Sequence, residues 1–575
     1  MDTLRSLAEQ WLELDKNEKT KAEIQKLLAD NDTEELEKRL GSRISFGTAG
    51  LRAAMQAGFS RMNDLTVIQA SQGLAEYIST SVASGGASIV IGYDHRHNSE
   101  RFARLTGAAM IQRGIKVYFY TSLVHTPLVP FGIKMLGASA GVMITASHNP
   151  VQDNGYKVYW SNACQIVSPH DKAIAKAIER NLTPVCWDES LVDTSELVEK
   201  PIERIQDAYF HKLVDLATHT VPVPRVRVVY TPMHGVGLPA MQRAARDLGV
   251  AEEDLVTVKA QQAPDADFPT VRFPNPEEVG ALDLAIVTAT ENNISIVLAT
   301  DPDADRFAAA ERLPSGEWRT FTGNELGILF AAYVFSNTPA SQRPKLCMLC
   351  STVSSQMLAS MARIEGFAFE ETLTGFKWLG NRAQALEQQG YHAAYAFEEA
   401  IGYMFSPLVQ DKDGIAAAVV FISALRDWSS AGQTPYQKLQ ELYGKYGYFK
   451  TANSYFVSRD AALTRKVFAD IRAAAPKAVG ARKITRWRDL TTGVDTATED
   501  GKPTLPISKS SEMITAELEG GVRFTVRGSG TEPKIKMYIE CKADTEAAAI
   551  EGAQEVARDL TREWFRPEET GLRLP

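Results

Sequence analysis

The chain has 575 residues, more than one hydrophobic core supports, so several domains are expected. Its 62 Lys and Arg against 71 Asp and Glu give a net charge of −9, which argues against nucleic acid as the main partner. The sequence has no apolar run near the roughly 18 residues that a membrane span needs and no signal-peptide pattern, so it predicts a cytoplasmic protein without membrane contact.

The first 40 residues carry apolar side chains at helical spacing with charged faces between them. This pattern predicts two or three amphipathic helices. Residues 42–52 follow and combine glycines, hydroxyl groups and arginines, among them Arg52. Such a loop is suited to closing over an anion, although similar loops are common.

A strand, a polar loop and a helix that ends at a glycine then occur in that order three times. The strands begin near Ser88, Val226 and Lys345, and the helices end near Gly114, Gly249 and Gly366. Each copy predicts one unit of α/β type.

Each copy is followed by a second strand that ends in a polar turn. These strands and turns span residues 142–149, 294–306 and 393–403. In open α/β sheets the ligand lies outside the strand ends. We therefore expect one site where the three turns meet.

The first of these turns contains Ser147 and His148. Pro150 fixes its own φ and disfavours helix at Asn149, so the chain must turn after the apolar strand. Taken alone, a Ser-His pair on such a turn is more often a polar surface turn than a catalytic serine. The other polar turns of the chain decide between these two interpretations.

The second turn places Asp301, Asp303 and Asp305 at alternate positions after a hydrophobic strand. They are either surface carboxylates or ligands of a hard divalent cation. The spacing is similar to the start of an EF-hand, but Arg306 and Arg312 stand where a calcium loop needs Gly and Glu. Mg²⁺ fits better, because it accepts few protein carboxylates and takes its other ligands from phosphate or water.

The third turn carries Glu398 and Glu399, with Lys377 upstream. The two carboxylates could act as an acid and a base, but they can equally accept hydrogen bonds from sugar hydroxyls, which is the interpretation we favour.

Near residue 451 the chain changes to a smaller α+β unit, in which two alternating strands flank a cationic turn. Residues 486–510 of this unit are expected to be rich in loops. The turn offers the guanidinium of Arg527, the hydroxyls of Ser529 and Thr531, and backbone N–H groups such as that of Gly530. This set is suited to holding a phosphate. An ordinary hairpin tip is the alternative.

Taken in order, the turns at 145–150, 301–306, 397–402 and 527–533 resemble the four signature loops of the α-D-phosphohexomutase superfamily. The eukaryotic-type phosphoglucomutase/phosphopentomutase branch is the most similar. The resemblance implies a heart-shaped enzyme with three related α/β domains and a smaller α+β C-terminal domain around a central cleft. We place the four domains at residues 1–220, with the N-terminal helical extension, 221–340, 341–453 and 454–575.

The resemblance also implies the roles of the site residues. Ser147 would carry a phosphoryl group, and Mg²⁺ would be held by Asp301, Asp303, Asp305 and a phosphoserine oxygen. Arg527, Ser529, Gly530 and Thr531 would bind the non-reacting phosphate, while Arg52 and Arg306 would steady the phosphoryl group. Lys157 and His148 are candidate general bases, with Lys377 on the sugar side, although His148 could equally be a structural hydrogen-bonder.

Elementary electrostatics supports the need for the cation. A phosphoserine brings a charge of about −1.5 to −2 beside three carboxylates. At an effective dielectric constant of about 20, each pair of unit charges 4 Å apart costs on the order of 4 kcal/mol.

An enzyme of this family donates its phosphate to a sugar monophosphate, forms a sugar bisphosphate and takes back the other phosphate. Phe397 and Ala400 depart from the family's sugar loop, which has a glycine and a serine there, so a hydroxyl that would bind a hexose is missing. The sequence therefore predicts a monomeric phosphopentomutase that acts on a small phosphosugar, with phosphoglucomutase as a second activity. A glucose 1,6-bisphosphate synthase and, from another class, a non-catalytic sugar-phosphate sensor are the alternatives.

Overall fold

The computed structural model describes residues 2–47, 50–82, 86–217, 224–529 and 533–574. The chain divides into two compact units: unit 1 is Met1–Asn337 with Phe376–Gln433, and unit 2 is Thr338–Gly375 with Thr434–Pro575. The predicted domain boundary near residue 220 lies outside the described residues. Within the described ranges, no helix is long and apolar enough to cross a membrane.

Unit 1 begins with the helices α1 (Asp2–Leu14), α2 (Glu18–Ala29) and α3 (Thr33–Leu40), which confirms the amphipathic pattern of the first 40 residues. Asn17 and Asp32 cap α2 and α3 by accepting hydrogen bonds from backbone N–H groups of the first turn. The apolar faces pack around the buried Trp11, whose ring lies edge-on to Phe59 with 5.2 Å between centroids.

The first α/β region of unit 1 follows in chain order as β1 (Leu51–Ala54), α4 (Asp64–Ser81), β2 (Ser88–Tyr93), α5 (Ser99–Gln112), β3 (Lys116–Phe119), α6 (Leu128–Leu136), β4 (Ala140–Ile144), β5 (Asp153–Trp160), α7 (His170–Arg180), α8 (Leu191–Thr194), β6 (Val198–Glu199) and α9 (Ile202–Val214). The strands lie in the order β1-β5-β4-β2-β3-β6. β2 is parallel to β4, so their carboxyl ends lie at one edge, and β5 returns antiparallel to β4.

The second α/β region repeats this plan with β7 (Val228–Thr231), α10 (Gly237–Asp247), β8 (Leu255–Thr257), α11 (Asp283–Glu291), β9 (Ile296–Thr300), β10 (Phe307–Arg312), β11 (Trp318–Thr320) and α12 (Gly323–Asn337). Its sheet has the order β11-β10-β9-β7-β8. β9 is parallel to β7 and pairs antiparallel with β10. The aspartate turn between β9 and β10 therefore has the same position as the serine turn between β4 and β5.

The third copy of the repeat contributes to both units. Unit 2 holds β12 (Leu346–Ser351), α13 (Met357–Glu365) and β13 (Ala368–Thr372), with β12 parallel to β13. Unit 1 holds α14 (Phe376–Gln388), β14 (His392–Glu398), β15 (Gly402–Phe405) and α15 (Gly414–Ser430), with β14 antiparallel to β15. The predicted strands and helices of this copy are confirmed.

The rest of unit 2 contains α16 (Pro435–Tyr446), β16 (Tyr448–Thr451), β17 (Ser454–Val457), α17 (Ala461–Ala474), β18 (Ala478–Val479), β19 (Arg482–Asp489), β20 (Val494–Asp495), β21 (Met513–Leu518), β22 (Val522–Gly528), β23 (Lys534–Ala543), α18 (Glu546–Leu560) and α19 (Pro567–Thr570). Its antiparallel sheet runs β16-β23-β22-β21-β19-β18. Phe468 of α17 and Val556 of α18 pack in one core with Phe524 and Ile539 of the sheet.

The prediction of a loop-rich stretch over residues 486–510 is wrong at its start, because β19 extends to Asp489. β19 is rich in arginine, and its register against β21 shifts between Ile484 and Arg486. Its sequence therefore lacks the regular apolar alternation that marks a strand.

Candidate active site

Ser147 lies in the turn between β4 and β5 and is only 2% exposed. Its φ of +53° is in the left-handed region, which is uncommon for a residue with a side chain. The Ser147 N–H donates a hydrogen bond to Thr145 Oγ at 2.9 Å. The interpretation as a polar surface turn is therefore wrong, because the serine is buried and its backbone is held in a strained conformation.

Arg96, which follows β2, holds the serine turn by its backbone. Its Nη2 donates to the carbonyl oxygens of Ser147 at 2.7 Å and Asn149 at 2.5 Å, and its Nη1 donates to Pro150 O at 2.9 Å. The Arg96 side chain is buried and lies 3.6 Å from the carboxylate of Asp94. These bonds offset the strain at Ser147 and fix the direction of its hydroxyl.

Asp301, Asp303 and Asp305 lie in the turn between β9 and β10 and are fully buried. One carboxylate oxygen of each lies within 4.8 Å of the others. The alternative of solvated surface carboxylates is therefore wrong. We call these three residues the aspartate cluster, and their arrangement could hold a metal ion.

Ser147 is directly bonded to the aspartate cluster. Its Oγ donates to Asp301 Oδ2 at 2.8 Å and lies 3.2 Å from Nδ1 of His148. Burial, reinforced by the neighbouring carboxylates, raises the pKa of Asp301 well above its usual value. Burial, reinforced by Arg306 and Arg52, lowers the pKa of His148 well below its usual value. These surroundings favour the neutral imidazole, in which one ring nitrogen is a hydrogen-bond acceptor.

Two lysines and a threonine bind the remaining aspartates. Lys157 Nζ lies 2.7 Å from Asp303 Oδ2 and 2.8 Å from Asp305 Oδ2. Lys412 Nζ also lies 2.8 Å from Asp305 Oδ2, and Thr126 Oγ donates to Asp303 Oδ2 at 2.5 Å. Burial alone would lower the pKa of Lys157, but the two carboxylates outweigh it and raise that pKa. Lys157 is thus a cation in this arrangement.

The other oxygens of this cluster show that its residues fit a divalent cation. Among the residues that the structure describes, Asp303 Oδ1 and Asp305 Oδ1 are buried and have no hydrogen-bond partner. Leaving buried acceptors unpaired is costly, so such atoms call for a ligand. Clustered carboxylate oxygens are the donors that hard cations such as Mg²⁺ prefer.

Two arginines contact these turns. Arg52 lies on β1, which pairs with β5, and its Nη1 donates to Asn149 Oδ1 at 2.9 Å. Arg306 donates its backbone N–H to Asp301 Oδ1 at 2.9 Å and its Nη1 to Ala400 O at 3.3 Å. Arg306 thereby connects the aspartate turn to the third predicted turn.

The third turn links β14 and β15 and lies against the aspartate turn within unit 1. Phe307 N donates to Ile401 O at 3.1 Å. Glu398 is buried at the end of β14, and Glu399 is half-buried. Lys377 is the second residue of α14, and burial lowers its pKa although Asp171 and Glu398 oppose this effect. Unit 1 thus brings together three of the four predicted turns.

The fourth turn belongs to unit 2, between β22 and β23. Arg527 Nη2 donates to the Tyr538 hydroxyl at 3.3 Å, and Ser529 N donates to Lys534 O at 2.8 Å. The two flanking strands are confirmed. Gly530 and Thr531 lie outside the described residues, so their role in phosphate binding stays a prediction.

Comparison with known proteins identifies the family. The sequence matches four models described as phosphoglucomutase/phosphomannomutase: alpha/beta/alpha domain I over residues 43–184, domain II over 207–314, domain III over 322–446, and the C-terminal domain over 466–558. The chain belongs to the phosphoglucomutase/phosphomannomutase family. The predicted superfamily is thereby confirmed.

Curated members of the family cover nearly the whole chain. It is 48% identical to a "Probable phosphoribomutase" of Schizosaccharomyces pombe, over 100% of this chain and 99% of that protein. It is 45% identical to the phosphopentomutase of Homo sapiens, over 98% of this chain and 96% of that protein. A glucose 1,6-bisphosphate synthase of Homo sapiens is 41% identical, over 98% and 94% of the two chains.

A solved structure confirms the predicted α/β phosphohexomutase fold. A phosphoglucomutase/phosphomannomutase family protein of Burkholderia thailandensis aligns with a TM-score of 0.67 at 17% identity. The alignment covers 92% of this chain and 98% of that chain.

Three residues around this family's serine and aspartate turns were not found from the sequence: Arg96, Thr126 and Lys412. Arg96 follows a strand of the repeat in Asp94-His95-Arg96, so its charged turn was a usable signal. Thr126 and Lys412 stand in loops of ordinary composition, where no pattern of residues points to either.

Proposed function

We propose that this family member is a phosphopentomutase that interconverts sugar 1-phosphates with 5- or 6-phosphates, with phosphoglucomutase as a second activity. The relatives named phosphoribomutase and phosphopentomutase, at 48% and 45% identity, support the predicted mutase activity. The observation that carries the proposal is the 2.8 Å hydrogen bond from Ser147 Oγ to Asp301 in a buried carboxylate cluster. This contact puts a candidate phosphoryl carrier beside a candidate cation site.

In this proposal Ser147 carries the phosphoryl group and passes it to a hydroxyl of the bound sugar phosphate. Mg²⁺, held by the aspartate cluster and a phosphoserine oxygen, would neutralise the charge on the phosphoryl group. Phosphoryl transfer asks mainly for positioning and charge stabilisation. Arg52 and Arg306 supply two positive charges next to the serine turn, and Lys157 supplies a third.

The protonation states and positions of the candidate bases indicate which group transfers which proton. His148 is neutral and lies 3.2 Å from Ser147 Oγ, so it is placed to exchange a proton with the serine. Lys377 has a lowered pKa and stands beside the third turn, so it suits the hydroxyl of the sugar. Lys157 is a less suitable base than the sequence suggested, because its ammonium group is paired with two carboxylates.

Substrate recognition is assigned to the third and fourth turns. Glu398 and Glu399 accept hydrogen bonds from sugar hydroxyls, and Arg527, Ser529, Gly530 and Thr531 hold the non-reacting phosphate. The pentose preference rests on Ala400, which offers no hydroxyl. Phe397 is fully buried and stacks on Tyr395 with 6.2 Å between ring centroids. Its side chain therefore packs in the core beneath the turn and is not available to the sugar.

The remaining predictions belong to the same proposal. These are the sugar bisphosphate as intermediate and activator, a monomer that acts on a small phosphosugar, a cytoplasmic location, and domain boundaries near residues 220, 340 and 453. The identity of 41% to a glucose 1,6-bisphosphate synthase favours that activity as the second candidate.

Mass spectrometry and kinetics test this proposal. Intact mass and phosphopeptide mapping of the purified protein should place one phosphate on Ser147. The kcat/KM for ribose 1-phosphate should exceed that for glucose 1-phosphate, and a large preference for glucose 1-phosphate would contradict the pentose assignment. Release of glucose 1,6-bisphosphate from glucose 1-phosphate and an acyl phosphate donor would favour the synthase instead.

A further inference from the structure

Lys412 stands in the loop between β15 and α15 and reaches the aspartate cluster from the sugar side. Its side chain is 12% exposed, and its Nζ lies 2.8 Å from Asp305 Oδ2. The same oxygen binds Lys157 at 2.8 Å. Asp305 Oδ2 is therefore paired with two ammonium groups, while Asp305 Oδ1 has no partner among the described residues.

The stem of Lys412 lies against the third turn. A Cβ atom placed on Gly402 would be 3.2 Å from Lys412 Cδ. The Lys412 Nζ is 5.8 Å from the centroid of the Phe376 ring, and Phe376 precedes Lys377 in α14. Lys412 thus contacts both the aspartate cluster and the turn proposed to bind the sugar.

The ammonium group of Lys412 has one close carboxylate partner, Asp305, since the Asp411 carboxylate lies 4.0 Å away, and the backbone beside Lys412 is fixed. The next residue, Asp413, donates its N–H to Tyr403 O at 2.9 Å and caps α15 by accepting from Ile415 N at 3.0 Å. Lys157, in contrast, is bound by two carboxylates of the cluster. Of the two lysines, Lys412 is therefore the one whose ammonium group leaves at the lower cost.

Charge explains why lysines occupy the cluster. Three buried carboxylates repel one another strongly when no cation lies between them. The ammonium groups of Lys157 and Lys412 reduce this repulsion. A divalent cation that binds Asp305 meets the same two ammonium groups and is repelled by both.

We propose that Lys412 is an internal counter-ion that competes with the divalent cation for Asp305 and is released toward the sugar turn when the cation binds. This inference rests on the divalent-cation site of the proposed function. Release places one more positive charge where an anionic phosphosugar binds. Cation binding and phosphosugar binding therefore strengthen each other, because such coupling is reciprocal.

Calorimetric titration with Mg²⁺ and thermal denaturation in EDTA test Lys412→Met, with Lys412→Arg as the charge-preserving variant. We expect Lys412→Met to bind Mg²⁺ about tenfold more tightly than the wild type, because a competing charge is gone. Its Tm in EDTA should fall by about 2–4 °C, while its Tm in saturating Mg²⁺ stays unchanged. Lys412→Arg should stay within about threefold of the wild-type affinity.

Lys200→Met is the matched control, since Lys200 also pairs with an aspartate, Asp193 at 3.0 Å, and Asp193 does not belong to the cluster. It should change neither readout. Unchanged or weaker Mg²⁺ binding by Lys412→Met overturns the inference. Asp303→Asn separates this failure from that of the cation site: if the wild type binds no Mg²⁺, or if Asp303→Asn binds it as the wild type does, the cation site itself is wrong.

Discussion

Each unit of this protein buries an ionic cluster, and the two clusters differ in their charge balance. In unit 1 the aspartate cluster has three carboxylates, and two of their buried oxygens lack a partner among the described residues. In unit 2 a single carboxylate, Glu371, accepts from Arg488 Nη1 at 2.7 Å and from Arg523 Nη2 at 2.5 Å. Thr352 Oγ also donates to Glu371 at 2.9 Å.

The pKa of Asp301 in unit 1 and that of Glu371 in unit 2 are shifted in opposite directions. Burial raises the pKa of Asp301 well above its usual value, and the carboxylates of Asp303 and Asp305 add to this effect. Burial would raise the pKa of Asp303 as well, but Lys157 and Lys412 outweigh it and lower that pKa. Burial would also raise the pKa of Glu371, but Arg523 and Arg488 outweigh it and hold that pKa at about 2. Buried charge alone does not mark a functional site. A buried excess of one sign with unpaired acceptors does, because it needs a ligand to balance it.

The largest effect is expected from Ser147→Ala. Activity should fall more than about 10⁴-fold even with added sugar bisphosphate, because no group remains to carry the phosphoryl. The variant should fold normally by circular dichroism, and phosphopeptide mapping should find no phosphate at residue 147. Undiminished turnover would show that unit 1's cluster does not serve a phosphoserine.

Glu371→Gln should break the balanced cluster of unit 2. We expect the free energy of unfolding to fall by about 3 kcal/mol at pH 7, because two buried guanidinium groups lose their counter-charge. The lowered pKa means that this contribution is present above the unfolded pKa of 4.5 and is lost as the pH falls through about 2. Urea unfolding at pH 7 and pH 3 measures both effects, with the exposed Glu519→Gln as the control. If Glu371→Gln were as stable as the wild type, the proposed difference between the two clusters would be contradicted.

Glu540, also in unit 2, should make stability depend on pH in the opposite sense. Burial raises the pKa of this carboxyl to about 7. Its stabilising contribution is therefore present below the unfolded pKa of 4.5 and is lost as the pH rises through 7, at a cost of about 2–3 kcal/mol. Thermal denaturation between pH 5 and pH 8 should show a steeper loss of Tm for the wild type than for Glu540→Gln. Equal slopes of Tm against pH for the two proteins would contradict the raised pKa of Glu540.

The smallest effect is expected from Asp301→Asn in unit 1. The asparagine oxygen can still accept the hydrogen bond of Arg306 N, and its amide nitrogen can donate to Ser147 Oγ, while one repelling carboxylate is removed. The free energy of unfolding in EDTA should stay unchanged or rise by up to about 1 kcal/mol. Mg²⁺ affinity should fall at least about tenfold. A clear loss of stability in EDTA would mean that this cluster is structural, as that of unit 2 is.

The sequence predicted the repeats and the four turns because polar residues interrupt apolar strands at those points. Ser147 and the aspartate cluster could be found in this way, but their burial could not. Burial depends on chain segments that are distant in sequence and cover the turn, such as the one that brings Thr126 to Asp303, 177 residues away. Taken alone, the turn at Ser147 therefore favoured a surface interpretation that the structure overturns.

Residues that support the site from outside the four predicted turns were harder to predict. Arg96 binds carbonyl oxygens of the serine turn, and carbonyl groups carry no side-chain signature in a sequence. Lys412 is a lysine in an ordinary loop, and only the fold brings it to Asp305. Both residues show that a site's support comes from topology more than from local composition.

The β4–β5 hairpin carries both Ser147 and Lys157, and its register pairs Met143 with Lys157 and Ile144 with Tyr156. Tyr156 belongs to the apolar core, whereas Lys157 points to the aspartates on the opposite face. Side chains alternate along a strand, so a slip of β5 by one residue against β4 would turn the ammonium group into the core. The pairing of β5 with both β4 and β1 therefore does more than hold the sheet together, because its register decides that the lysine lies on the side of the serine's chemistry.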